Sequence, residues 1–176
     1  MRQTLLLFLA LILMPHTINA LPFKEISTDN GLSNRRVQES ILDDNGYIWF
    51  ATRSGIDRYN GEFFVHYTLS ASAENEVTEH PRGILINNQK EIYAFSEANI
   101  YKFSYKTDSF HQVNNINLTQ REAINAITFD PTGHLWIGTT EHLYRFNTND
   151  STLQPIKQKV AVHCLLFEKE KHGLSL

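Results

Sequence analysis

Arginine recurs at places where it could recognise an anion: Arg35 and Arg36, Arg53, Arg82 and Arg121, accompanied by Asn34 and His80. A guanidinium is a planar fork of donors that matches an acidic group bidentately. Arginines brought together would therefore favour an anionic or polyhydroxylated ligand, a small molecule or an oligosaccharide. Glu79, Glu97 and Glu122 fall among them in sequence, a mixture that a merely solvated loop face would also show. Catalytic chemistry has less support. No serine sits in a strand–G-x-S-x-G–helix setting, so a hydrolase triad has no anchor. The eight histidines show neither H-x-x-x-H nor H-E-x-x-H spacing, and neither a metal site nor a cofactor is expected. His134 and His142 flank one hairpin, where surface positions are expected. Cys164 is the only cysteine; it is expected to be a small buried hydrophobe rather than a reactive thiol.

What positions these residues is a repeat. The stretch Gly46–Asn60 (GYIWFATRSGIDRYN) is written again, worn down, at Lys90–Ser104 (KEIYAFSEANIYKFS) and clearly at Gly133–Asn147 (GHLWIGTTEHLYRFN). Trp49, Tyr93 and Trp136 align at spacings of 44 and 43 residues; so do Thr52, Ser96 and Thr139, and Arg58, Lys102 and Arg145. A period of this length carrying four short strands predicts a β-propeller blade. The fold class expected is all-β, with four-stranded antiparallel blades, about three of them plus the start of a fourth in an incomplete ring.

In the first repeat the strands are expected near Val37–Leu42, Tyr47–Thr52, Ile56–Tyr59 and Phe63–Tyr67. The first turn is Asp43-Asp44-Asn45-Gly46, repeated as Asp130-Pro131-Thr132-Gly133 and, without its glycine, as Asn87-Asn88-Gln89-Lys90. The second strand is apolar on both parities, Ile48 and Phe50 against Tyr47, Trp49 and Ala51, as a strand covered on both faces must be. Ala51 and Gly138 are small where neighbouring blades come closest. The blades are expected at residues 34–67, 78–113 and 121–156. Residues 21–33 form a lead-in containing a closing outer strand at Phe23–Ile26, and residues 160–176 begin a fourth blade. The loops leading from an outer strand into the next blade and the turns between a blade's second and third strands (B–C turns) share one face of such a ring, which gathers Asn34, Arg35, Arg36, Arg53, His80, Arg82 and Arg121.

Residues 1–20 read as a secretory signal peptide: a charged start, an apolar run from Leu5 to Met14 and a small-residue exit at Ala20. That run is about half the roughly 20 residues a membrane span requires. One cysteine leaves an exported domain without an internal disulfide, so stability must come from a core. A net charge of -3 with interspersed signs sets nucleic acid aside as a partner. The chain stops about where the fourth repeat's aromatic is due, which reads as the front portion of a longer protein or a truncated reading frame.

Gly31-Leu32-Ser33-Asn34, a strand, then DDNGYIWFATRSGIDRYNG at Asp43–Gly61 resembles the two-component regulator propeller repeat. Asp43, Gly46, Trp49, Phe50, Thr52, Gly55, Arg58 and Tyr59 carry the likeness, with Ala51 in place of the usual glycine. Asp130, Gly133, Leu135, Trp136, Gly138 and Thr139 carry it in the third repeat, where His142 replaces the later glycine. The resemblance implies a periplasmic, ligand-sensing propeller of a bacterial membrane receptor. Such a receptor is a membrane-anchored homodimer coupled to a histidine kinase or diguanylate cyclase absent from this chain. The competing expectations are an exported propeller enzyme of lyase or quinoprotein type, and a secreted interaction scaffold.

Overall fold

The computed structural model describes residues 24–70, 78–119 and 121–166. Residues 1–20, expected as a signal peptide, Leu21–Phe23, residues 71–77, Gln120 and residues 167–176, where the start of a fourth blade is expected, lie outside them. Among the described residues twelve strands make three antiparallel four-stranded sheets, each consecutive in the chain. The first holds β1 (Val37–Leu42), β2 (Ile48–Thr52), β3 (Gly55–Tyr59) and β4 (Phe64–Tyr67). The second holds β5 (Gly83–Ile86), β6 (Ile92–Phe95), β7 (Ile100–Ser104) and β8 (Ser109–Gln112). The third holds β9 (Ile124–Phe129), β10 (Leu135–Thr139), β11 (His142–Asn147) and β12 (Thr152–Gln158). The repeated segments lie in separate blades, not edge to edge in one sheet.

The turn at Asp43 ties the hairpin to the core. Its Oδ1 accepts from the backbone N–H groups of Asn45 and Tyr47, each at 2.9 Å, while Oδ2 accepts from the Trp49 indole at 2.8 Å. Asp130 does the same for Thr132, His134 and Trp136. Burial would raise the Asp130 pKa, but the Thr132 hydroxyl, the Trp136 indole and two backbone N–H groups hold it well below the usual carboxylate range. The second blade rewrites the device. Asn87 keeps the two backbone bonds and passes its amide to Glu91, which accepts from the hydroxyl of Tyr93, the residue at the tryptophan position. Gly46 and Gly133 take φ of 83° and 89°, and Lys90 takes 67° in the turn that has no glycine. That strain, and not a broken sheet, is what the worn second repeat costs.

Two wedges of side chains hold the blades face to face. Between the first and second, Trp49 is fully buried and packs on Tyr67, Phe103 and Phe110. Between the second and third, Tyr93, Phe95 and Ile100 meet Ile124, Leu135, Ile137 and Phe146. The middle blade therefore has cover on both sides, and β6 is buried at every residue. Burying an aromatic side chain of this kind removes on the order of 200 Å² from water, the main contribution to each wedge. Gly138 is small for a reason: a Cβ there would lie 2.5 Å from Val162, whose N–H donates to the Thr139 carbonyl.

Two expectations are corrected by packing. Cys164 is exposed, because residues 160–166 run along the third blade without forming a strand. His134 and His142 are half-buried in polar networks, not surface residues. Trp136 is half-buried, in contrast to Trp49, since it lies on the outer face of the third blade. Lys24–Ile26 carries no strand; Gly31 turns the lead-in with φ 108°, and Leu32 is buried behind it.

Candidate functional site

The face where loops meet B–C turns is built from two layers. The lower layer is polar and buried. In the third blade the hydroxyls of Thr119, Thr139 and Tyr144 donate to Glu122 at 2.6, 2.7 and 3.0 Å. The His142 ring lies 3.1 Å from it. The Glu122 side chain is wholly shielded from solvent. Burial pushes its pKa up, but these groups together outweigh that and hold it at about 2. The same contact, with burial, pushes the Tyr144 phenol up to about 12. In the second blade Glu79 takes this place and accepts from Ser96 Oγ and Asn99 Nδ2. In the first blade the parts change sides. The loop supplies Ser33, and the acid is Asp57 on β3, at the position of Tyr101 and Tyr144. Ser33 N and Oγ donate to Asp57 at 2.8 and 2.7 Å, and His66 Nδ1 sits 2.7 Å away. The carboxylates of this layer are thus committed to holding loops onto hairpins.

The upper layer is open. Asn34 shapes it: its Oδ1 accepts from Arg36 N at 2.9 Å and its Nδ2 donates to Ser54 Oγ at 3.0 Å. Arg53 N donates to the Arg36 carbonyl, and the His80 ring nitrogen Nδ1 donates to the Arg53 carbonyl at 2.9 Å. Arg82 N donates to the Phe95 carbonyl at 2.7 Å, and the Arg82 guanidinium pairs with Glu97. These links gather Arg36, Arg53, His80, Arg82, Glu97 and Asn125 round one recess of about 650 Å³. Arg36 and Arg53 are exposed and form no ion pair among the described residues. Asn125 Nδ2 is buried with no partner.

Of the seven residues chosen from sequence, four line this recess: Arg36, Arg53, His80 and Arg82. Asn34 builds the loop behind it. Arg35 and Arg121 are exposed and lie outside its lining. Asn125 and Gln38 line it unannounced. Both come from first strands of blades: in β9 (INAITF) a polar residue interrupting an apolar pattern was the available signal, whereas β1 (VQESIL) has Gln38 among three consecutive polar residues and offered none. Among the described residues no three His, Cys, Asp or Glu side chains come together as a metal site. No helix among them is long and apolar enough to cross a membrane. Chemically the recess offers two uncommitted guanidiniums, an imidazole, an orphan amide, the Arg82–Glu97 pair and the Glu79 carboxylate, which already accepts from Ser96 and Asn99. That is equipment for binding acidic and hydroxyl groups.

Residues 118–141 match the model of the two component regulator propeller family. No curated protein matches the chain. Among solved structures, the chain is similar to the extracellular domain of BT4673 from B. thetaiotaomicron, described as a one component system. There the TM-score is 0.67 at 18% identity, over 82% of this chain and 20% of that one. It is also similar to the extracellular domain of BT3049 from the same organism, described as a hybrid two component system. That match has a TM-score of 0.61 at 20% identity, over 74% of this chain and 19% of that one. Streptogramin B lyase matches with a TM-score of 0.55 at 19% identity, over 69% of this chain and 40% of that one. The chain spans about one fifth of the length of the two extracellular domains.

Proposed function

We propose that this chain is part of an extracytoplasmic ligand-sensing propeller of a transmembrane signalling receptor, and that the recess around Arg36 and Arg53 takes the ligand. The ligand class is an acidic small molecule or oligosaccharide. Its acidic group engages the two free guanidiniums, and its hydroxyls face His80, Asn125 and the Arg82–Glu97 pair. One observation carries this reading: residues separated by up to 46 positions in sequence, Arg36 to Arg82, converge on one recess while the acids beneath them are occupied elsewhere. The solved extracellular domains of signalling systems support the fold on which the reading rests. The likeness to a lyase supports the propeller alone.

Calorimetry of the chain with digalacturonate, against the neutral disaccharide galactobiose, tests the ligand class. Binding of the acidic sugar is expected to weaken roughly tenfold in each of Arg36→Ala and Arg53→Ala, the worth of one charged hydrogen bond. Arg82→Ala should change it less, since Arg82 is already paired. Equal binding of the two sugars, or affinity unmoved in the double Arg36→Ala/Arg53→Ala variant, overturns the proposal.

A further inference from the structure

The two wedges differ at their outer ends, away from the recess. Between the first and second blades that end is full. Arg58 Nη1 pairs with Asp108 Oδ1 at 2.9 Å, and the Tyr67 hydroxyl donates to the same oxygen at 2.9 Å. The guanidinium lies over Tyr47, Trp49 and Tyr67, 5.0–5.4 Å from the ring centroids. Tyr105 closes the gap by donating to Asp43 at 2.8 Å.

Between the second and third blades the equivalent residues are smaller or shorter. Lys102 stands for Arg58, Tyr93 for Trp49, Val113 for Tyr67, Thr148 for Tyr105 and Ser151 for Asp108. The equivalence is structural as well as sequential. Asp108 and Ser151 share a positive φ, 48° and 57°, and Arg58 and Lys102 both pair across to the outer strand, with Val65 and His111. The missing volume is a cleft of about 440 Å³ lined by Lys102, Val113, Phe146, Thr148 and Ser151 among others. Lys102 Nζ donates to Glu91 at 2.6 Å. An ammonium carries three N–H donors, so two remain.

We infer that this cleft is a second binding site, for a small aryl monocarboxylate. Its carboxylate sits between Lys102 and Ser151, as the Asp108 carboxylate sits between Arg58 and Tyr67. Its ring lies over Val113 against Phe146, in the space the Tyr67 and Tyr105 rings occupy one blade earlier. The protein makes these contacts with its own side chains in one wedge and leaves them to a ligand in the next.

The probe is 4-hydroxyphenylacetate, with 4-hydroxyphenylacetamide as the uncharged control, titrated into the full chain by ligand-observed saturation-transfer NMR. Saturable binding of the acid is expected, about tenfold tighter than the amide. Val113→Tyr/Ser151→Asp rebuilds the filled wedge and should abolish binding while leaving the melting temperature equal or higher. Lys102→Met should weaken the acid about tenfold and leave the amide unmoved, a result that stands even where the double variant fails to fold. Arg36→Ala/Arg53→Ala should change nothing, which separates this site from the recess. No saturable binding, equal binding of acid and amide, or undiminished binding in Lys102→Met overturns the inference.

Discussion

Replacing Glu122 by Gln tests the buried polar layer. The carboxylate accepts from three hydroxyls, and the His142 ring lies 3.1 Å away, so the hydroxyl neighbours all present donors. An amide in its place keeps one accepting oxygen and turns an NH₂ toward donors it cannot satisfy. Lowering a carboxyl from the usual 4.5 to about 2 corresponds to roughly 3 kcal/mol of folding stability. The sign follows from a depressed folded-state value. The contribution is complete above about 4.5, where the unfolded carboxyl is also ionised, and it is lost as pH falls from there through about 2. Urea unfolding at pH 7 should therefore show Glu122→Gln weaker by roughly 3 kcal/mol. Its deficit against the natural chain should shrink steadily between pH 4.5 and 2. A deficit of the same size at pH 7 and pH 2.5 would mean that lost shape, not lost charge, sets the cost, and would refute the electrostatic argument.

Three further outcomes follow from particular contacts. Asp43→Asn sets an amide against the Trp49 and Tyr105 donors, and should cost about 2 kcal/mol in urea unfolding; the second blade tolerates Asn87 because Glu91 accepts the aromatic's hydrogen bond there. Lys90→Gly relieves the one positive-φ lysine of a repeat turn, and should raise stability by about 0.5–1 kcal/mol despite the lost exposed contact with Asp44. Gly138→Ala puts a methyl 2.5 Å from Val162 and should lose about 1–3 kcal/mol, partly restored by adding Val162→Ala; no restoration would mean that Val162 does not pack there.

The blades were legible because a strand buried on both faces cannot hide. Trp49, Ala51 and Ile48 announce it by type alone, and the Asp-to-Gly turn fixes where it begins. Even the second blade, with Asn87 and Lys90 for Asp and Gly, forms all four strands, since apolar cover decides a sheet and turn chemistry only trims it. The recess was legible in part. Repeat position alone brought Arg36, Arg53, His80 and Arg82 to one face, and the lining of the recess there includes these four and not Arg35 or Arg121. The exchange of Ser33 and Asp57 for Glu122 and Tyr144 was not legible. It requires knowing that a loop from one repeat lies on the hairpin of the next, a contact between segments that share no periodicity. His142 was misjudged for that reason: its partner Glu122 comes from a loop 20 residues away. Cys164 was misjudged because its expected burial presumes a formed strand, and residues 160–166 form none.

The organisation of the repeats into stacked blades is tested most directly by nuclear Overhauser contacts from the aromatic rings. Trp49 should give strong cross-peaks to Phe103, and Tyr93 to Phe129, their ring centroids lying 4.7 and 4.9 Å apart across the two wedges. Backbone contacts joining β4 to β5 as paired strands, with Trp49 in contact only with its own hairpin, would contradict it.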